Sequence, residues 1–285
     1  MMVENVRELI PVRLREQLAQ IASDGDINIA YSGGLDSRFL AFCSMKLGFR
    51  VQLLTVSGPH IDPDDTKQAL AYARDWGLPV TTLFFDPLRD AEIQQAADKR
   101  CYVCKKRMFA GMISKVAPGI LCDGTNASDQ TVYRPGRLAL KELGVRSPLL
   151  DAGVDKSAIR SLAHTLGMPE ADQAARPCLL TRFPYGMQLT AQQLQLVAAG
   201  ERFVRMSPWG KGLRFRLRFP DMSTPVLHWD VASVRPLTGA QVEDLRRELI
   251  KAFPDALSGL RIEAVQTLSG FYDRPNSRGP SLAER

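Results

Sequence analysis

The sequence predicts an α/β fold: a parallel sheet with helices on both faces, followed by a smaller C-terminal α+β domain. Three observations carry this. Short apolar runs at 27–31, 50–56, 80–85 and 120–123 alternate with segments of helical length, the pattern of a sheet whose strands are joined by helical crossovers. The helical segments end at stop signals, Gly48 and Gly77 among them. From Met168 to Thr190 the alternation is broken by Pro169, Pro177, Pro184 and Gly186, and beyond that break helical segments accompany a period-two stretch at 213–219.

Taken in order, 3–22 has apolar residues at helical spacing (Val6, Leu9, Ile10, Leu14, Leu18, Ile21), with Pro11 as a break or kink. Strand 27–31 leads into glycines and then a helix at 36–47. Strand 50–56 ends in Ser57-Gly58-Pro59 and is followed by a helix at 63–76. After strand 80–85, Asp86-Pro87 interrupts, a helical stretch runs to about Ala97, and a further helix follows Cys101. The run 120–123 reads as a fourth strand, 147–150 as a fifth, and 156–166 as a helix. This is a Rossmann-like parallel sheet, and its functional groups belong at the carboxyl ends of the strands. The walls of the site are therefore the loops after Tyr31, Val56, Phe85 and Asp123.

The expected organisation is a nucleotide domain over 1–167, a linker over 168–190 carrying Cys178, a small α+β domain over 191–272 and a disordered tail over 273–285. In the small domain, 191–204 and 239–252 read as helices. Segment 213–219 alternates arginine with apolar residues, and 226–231 and 262–267 are further strands.

Composition excludes several classes. No run of 18 apolar residues is present, so no membrane span is expected. Glu4, Glu8 and Glu16 interrupt the N-terminal apolar residues, unlike a signal peptide. A cytoplasmic, reducing setting follows, in which five cysteines serve as thiols or metal ligands rather than disulfides. The net charge of +6 is too small to imply a nucleic-acid partner. Between Gly200 and Phe219, however, Arg202, Arg205, Lys211, Arg214, Arg216 and Arg218 face Glu201 alone, a candidate anion site.

The most informative motif is Ser32-Gly33-Gly34-Leu35-Asp36-Ser37, directly after the first strand. Glycines let a backbone approach an anion, successive amides form a nest, and the following helix adds its positive end. Asp36 can hold a magnesium ion that shares the phosphate charge. The spacing differs from both the P-loop and the dinucleotide fingerprint. It resembles the pyrophosphate loop of the ATP pyrophosphatase superfamily, whose members adenylate a substrate, release pyrophosphate and let a nucleophile displace AMP.

The cysteines narrow the chemistry. Cys101 and Cys104 form a C-x-x-C between Arg100 and Lys105-Lys106-Arg107, and Cys178 lies in the proline-rich linker. Cys43 and Cys122 fall in apolar runs and read as core. Taken alone, a C-x-x-C is redox-active, metal-binding or accidental.

Five further motifs follow the loop in order: Arg100–Lys105, Asp123–Asn126, Tyr133–Gly136, Glu142–Leu149 and Cys178–Gly186. The set, over about 25–235, resembles the LarE family. Its members are ATP-dependent pyridinium-3,5-biscarboxylic acid mononucleotide sulfurtransferases serving the nickel-pincer nucleotide cofactor. The resemblance implies an adenine nucleotide alpha-hydrolase-like fold and an enzyme that turns a carboxylate into an acyl-adenylate and then a thiocarboxylate. It implies ATP and Mg2+ at Ser32, Gly33, Gly34, Asp36 and Ser37, with Thr125 and Asn126 facing the nucleotide. It also implies a 4Fe–4S cluster held by Cys101, Cys104 and Cys178 with one iron open to sulfide. Zinc, persulfide or disulfide use of these thiols, or sacrifice of the Cys178 sulfur without a cluster, are the competing readings.

Further roles carried by the resemblance are Lys105 as a phosphate clamp and Asp129 as a second metal carboxylate. Arg182 would pair with the substrate phosphate or carboxylate. Arg214 and Arg216, on one strand face, would hold the mononucleotide phosphate. Glu201 and Asp230 match acidic positions that bind metal or shape a subunit interface. For Lys105 and Arg182 the competing reading is an ordinary solvated side chain, for Asp129 an ordinary loop residue, and for Arg214 and Arg216 a solvated or oligomer-interface strand. Ser128 preceding Asp129, Thr181 in place of serine and Asp230 in place of glutamate depart from the family pattern. The expected partners are a small-molecule nucleotide, sulfide or another sulfur donor, and further copies of the chain. A tRNA thiolase of the same superfamily is the rival function, but no long basic arm or RNA module is evident.

Overall fold

The computed structural model describes residues 3–116, 119–131 and 136–273. Of the disordered tail expected over 273–285, Asp273 instead closes the 3-10 turn Phe271–Asp273; residues 274–285, and 133–135 of the Tyr133–Gly136 motif, lie outside the described residues. The chain divides into two compact units, Met1–Pro87 with Lys99–Arg176, and Leu88–Asp98 with Pro177–Arg285.

The first unit holds the expected parallel sheet. Strands β1 (Ile27–Ala30), β2 (Val51–Ser57), β3 (Val80–Phe84) and β4 (Leu121–Cys122) run in the order β3-β2-β1-β4. Ile27 lies opposite Val51, Leu53 opposite Val80 and Asn28 opposite Leu121, all in parallel register. Apolar side chains at Ile27, Ile29, Leu53 and Leu54 are fully buried, as strands covered on both faces require.

Helices of this unit are α1 (Val3–Leu9), α2 (Val12–Ala22), α3 (Leu35–Lys46), α4 (Pro63–Asp75), α6 (Arg100–Ile113), α7 (Gly136–Glu142), α8 (Pro148–Asp151) and α9 (Lys156–Thr165), while α5 (Ala91–Gln95) belongs to the second unit. Pro11 divides the apolar 3–22 stretch in two. Lacking an N–H, it caps α2 instead of continuing α1, and its carbonyl accepts the Arg15 N–H at 3.0 Å. Helix α3 is buried almost all round, from Leu35 to Ser44 with only Asp36 partly exposed, so it is a central helix of the core.

Two expectations are corrected. The fifth strand at 147–150 is the short helix α8, with Pro148 in its first turn. Proline cannot donate to a ladder but suits a helix start. The sheet contact falls one residue earlier, where Arg146 bridges Cys122. The helical stretch to Ala97 is α5 flanked by two 3-10 turns, Pro87–Arg89 and Ala97–Lys99.

The segment read as a linker is packed at both ends. Met168 and Ala171 join the first unit's core. Arg38, fully buried on α3, donates to the carbonyls of Pro169 (2.7 Å) and Glu170 (3.0 Å) and to Gln173 Oε1. Leu179, Leu180, Phe183 and Leu189 join the core of the second unit.

That second unit is the expected α+β arrangement. Helix α10 (Ala191–Met206) and α11 (Gly239–Ala252) pack with a three-stranded sheet of β5 (Phe215–Arg218), β6 (Val226–Asp230) and β7 (Arg261–Val265) in the order β5-β6-β7. β5 is antiparallel and β7 parallel to the central strand, whose five residues are all buried. Both helices start from a capping box, Thr190 with Gln193 and Thr238 with Gln241. No helix among the described residues is long and apolar enough to cross a membrane.

Candidate functional site

The loop between β1 and α3 is built for close approach. Gly33 has φ +72°, and a Cβ there would meet the Ala69 Cβ of α4 at 2.5 Å, so both backbone and packing require glycine. Gly34 caps α3, and its N–H donates to Ser32 Oγ at 3.3 Å. Ser37 Oγ donates to the Gly34 carbonyl at 3.1 Å and lies 3.3 Å from Ser32 Oγ. The two hydroxyls thus stand together at the N-terminal end of a 12-residue helix, whose unsatisfied amides and dipole favour an anion.

The loop after β4 closes on the same helix end. A Cβ on Gly124 would lie 2.8 Å from the Ser37 nitrogen, so only glycine permits the Asp123–Asn126 segment to touch α3 there. The buried Asp123 carboxylate organises that segment. It accepts the Thr125 N–H and hydroxyl and the Ser147 hydroxyl. Asn126 Oδ1 accepts the Ser128 N–H, and the Asn126 N–H donates to Asp129 Oδ2 at 3.2 Å. Asp129 is buried, with its carboxylate engaged inside its own loop.

Asp36, half-buried in the first turn of α3, is paired with Lys156 Nζ at 2.6 Å. Lys156 is the residue that sequence reasoning missed. Its signal was legible: a lysine at the first position of α9 opposes the helix dipole and calls for an outside partner. Its own N–H donates to Ser128 Oγ at 3.1 Å, which ties α9 to the loop after β4. Ser32, Gly33, Gly34, Asp36, Ser37, Thr125, Asn126 and Asp129 are thereby gathered with Lys156 at the carboxyl ends of β1 and β4.

Cys101 and Cys104 are half-buried thiols three residues apart in the first turn of α6, hence on one helix face. Lys105 beside them lies with its ammonium 5.4 Å from the Phe109 ring, and its stem fills the space a Gly136 side chain would need. Cys43 and Cys122 are fully buried, and burial raises both thiols, Cys122 to about 12. The other three cysteines are only half-buried.

In the second unit, half-buried Cys178 opens the 3-10 turn Leu179–Arg182. The sequence placed Arg182 against substrate, but the structure commits it within the unit. It is 2% exposed; Nε and Nη2 reach the two Glu201 carboxylate oxygens at 2.7 and 2.8 Å, and Nη1 reaches the Pro177 carbonyl and Thr181 Oγ1. Burial alone would raise the Glu201 carboxyl. The Arg182 guanidinium, with lesser help from Arg216 and the Leu217 N–H, outweighs it and holds the group below the usual carboxylate range. Asp230 is likewise engaged, by Arg214 at 3.0 Å and the Ala232 N–H at 2.8 Å. Arg216 is half-buried on β5 and donates to the Phe215 carbonyl. Among the described residues no three His, Cys, Asp or Glu side chains are grouped as a metal site.

No family model matches the chain. It is 33% identical over 181 residues to an uncharacterized protein of Synechocystis sp., covering 62% of this chain and 68% of that one. It is 29% identical over 185 residues to the pyridinium-3,5-bisthiocarboxylic acid mononucleotide synthase of Lactiplantibacillus plantarum, covering 63% and 67%. An uncharacterized protein of Methanocaldococcus jannaschii is 27% identical over 197 residues, covering 68% and 75%. With these relatives, the glycine loop at the head of α3 and the ordered motifs behind it, the chain belongs to the LarE family of the PP-loop ATP pyrophosphatase superfamily.

Proposed function

We propose that this protein is an ATP-dependent sulfurtransferase that converts a carboxylate of pyridinium-3,5-biscarboxylic acid mononucleotide to a thiocarboxylate, in nickel-pincer nucleotide cofactor biosynthesis. The observation that carries this reading is the anion cradle at the head of α3. There, Gly33 and Gly34 allow backbone approach, Ser32 and Ser37 offer hydroxyls, and Asp36 offers a carboxylate. The name of the Lactiplantibacillus plantarum relative supports the substrate class.

A carboxylate is a poor acyl electrophile, and adenylation corrects this. The substrate carboxylate oxygen bonds to the α-phosphorus, the bond between the α-phosphorus and its bridging oxygen breaks, and pyrophosphate leaves. The amides of α3 and the Ser32 and Ser37 hydroxyls hold the departing pyrophosphate charge. Asp36, released from Lys156, would hold Mg2+, which would share the phosphate charge, with Lys105 and Asp129 as candidate further phosphate and metal groups, and Thr125 and Asn126 would line the nucleotide. A sulfur nucleophile then attacks the acyl carbon and AMP leaves with the electron pair. Arg214 and Arg216 are the candidate anchors for the mononucleotide phosphate.

The thiols fit an iron–sulfur cluster in donor type, since Cys101, Cys104 and Cys178 are half-buried and Cys101 and Cys104 share one helix turn. Held by three thiolates, a 4Fe–4S cluster would supply an iron open to an exchangeable sulfide. The test is incubation with ATP, Mg2+, sulfide and the biscarboxylate nucleotide, read by mass spectrometry. Exchange of a substrate oxygen for sulfur, lost in Asp36→Asn and in Cys178→Ala, is expected; unchanged substrate with the wild-type protein would refute the reading.

A further inference from the structure

The arginine and glutamate that the sequence assigns to substrate and metal are joined to each other, and the pair touches the backbone on which Cys178 is carried. Arg182 and Glu201 side chains are 3% and 5% exposed. From this buried pair, Arg182 Nη1 reaches back to the carbonyls of Pro177 (3.1 Å) and Cys178 (3.4 Å) and to Thr181 Oγ1 (2.9 Å). The Thr181 hydroxyl and N–H both donate to the same Cys178 carbonyl, at 2.7 and 3.0 Å. The far side is tied to the sheet. Glu201 Oε1 accepts the Leu217 N–H of β5 at 2.9 Å, and the Arg182 carbonyl accepts the Phe219 N–H at 2.9 Å and the Tyr272 hydroxyl.

A substrate-binding guanidinium must present free N–H groups to solvent, and a metal-binding carboxylate must present free oxygens. This pair presents neither. What it does present is a rigid path from β5 and α10 to the peptide groups on either side of the Cys178 Cα. A buried pair of this kind is weak evidence for net stability but a strong constraint on geometry, because either partner alone would be an uncompensated buried charge. A working thiol needs its position held by locked neighbours.

We propose that Arg182 and Glu201 are positioning residues for the Cys178 thiol, acting through the Pro177 and Cys178 carbonyls, and that neither touches substrate or metal. This rests on the reading of Cys178 as a sulfur-bearing thiol, but its test does not depend on turnover. In the full-length protein, first treated with chelator so that no bound metal shields the thiols, alkylation of each cysteine by iodoacetamide is followed by peptide mass spectrometry, with Cys101 and Cys104 as internal references.

Glu201→Gln and Arg182→Lys should accelerate alkylation of Cys178 by about tenfold or more, the scale of one lost hydrogen bond to a charged group, with Cys101 and Cys104 unchanged. Sulfur transfer should fall in kcat while the KM for ATP holds. Thr181→Val, which removes one hydroxyl from the same network, should give the same effect more weakly and serves if the first variants fold poorly. Unchanged Cys178 reactivity in folded variants with a raised KM for the anionic substrate would overturn the proposal in favour of a substrate clamp. Equal acceleration at all three cysteines would overturn it in favour of general loosening. Wild-type protein that transfers no sulfur but shows the selective alkylation effect would sink the functional reading and leave the positioning role standing.

Discussion

Two ion pairs of nearly equal length have opposite surroundings. Lys156–Asp36 closes at 2.6 Å with each side chain 28% exposed, whereas Arg182–Glu201 closes at 2.7 Å with its side chains almost wholly buried. The first stands at the solvent-reached N-terminal end of α3, where under the proposed function the carboxylate would exchange its lysine for a metal ion and the lysine would turn to a phosphate. The second has every partner inside its own unit and nothing to exchange with. Residue type alone did not separate them: solvent access leaves one carboxylate able to change partners and locks the other in place.

The sharpest way to break this contrast is truncation. Glu201→Ala strands a buried guanidinium and should cost about 3–5 kcal/mol of stability, read as a large drop in the urea midpoint. Lys156→Ala should change stability by no more than about 1 kcal/mol while weakening ATP binding in calorimetry. Similar stability losses from the two would dissolve the distinction.

A second test uses pH. His60 in the first unit and His228 in the second are both lowered to about 4, in each case first by burial; Asp86 opposes this at His60, while at His228 Arg218 adds to it and Glu263 opposes. Each is neutral when folded, and the unfolded chain takes up its proton first, near 6.5. The stability they confer is therefore complete above about pH 6.5 and lost as pH falls toward 4, on the order of 3 kcal/mol for one such histidine. Unfolding free energies at pH 7 and pH 5 should differ accordingly, and His228→Asn should flatten the curve.

Gly33→Ala tests the cradle itself. With φ +72° and a 2.5 Å clash against Ala69, it should cost about 1–3 kcal/mol and abolish ATP binding. The smallest expected effect on stability is that of Asp36→Asn, below about 1 kcal/mol, with loss of Mg2+-dependent nucleotide binding. A large stability loss there would make Asp36 a scaffold after all.

The parallel sheet and the tight strand-to-helix loop at Ser32–Ser37 were legible because their signals are local: apolar runs of strand length, paired glycines and a carboxylate at a helix start. Residues 147–150 misled because Leu149 and Leu150 are apolar in either structure, and Pro148 decided for helix. Lys156 was legible only through its unfavourable helix position. The Arg182–Glu201 pair left no trace, since its partners are 19 residues apart and a buried ion pair has no periodicity. The packing of 168–176 by Arg38 was hidden for the same reason: hydrogen bonds to carbonyls carry no sequence mark.

The proposed function implies a division of labour, with carboxylate activation by residues of the first unit and sulfur delivery through Cys178 of the second. Exchange of labelled pyrophosphate into ATP, driven by the biscarboxylate nucleotide and measured on Cys178→Ala, tests it most directly. Exchange at the wild-type rate, abolished by Asp36→Asn, is the predicted result; exchange that vanishes with the Cys178 thiol, or that never occurs in the wild-type protein, would contradict it.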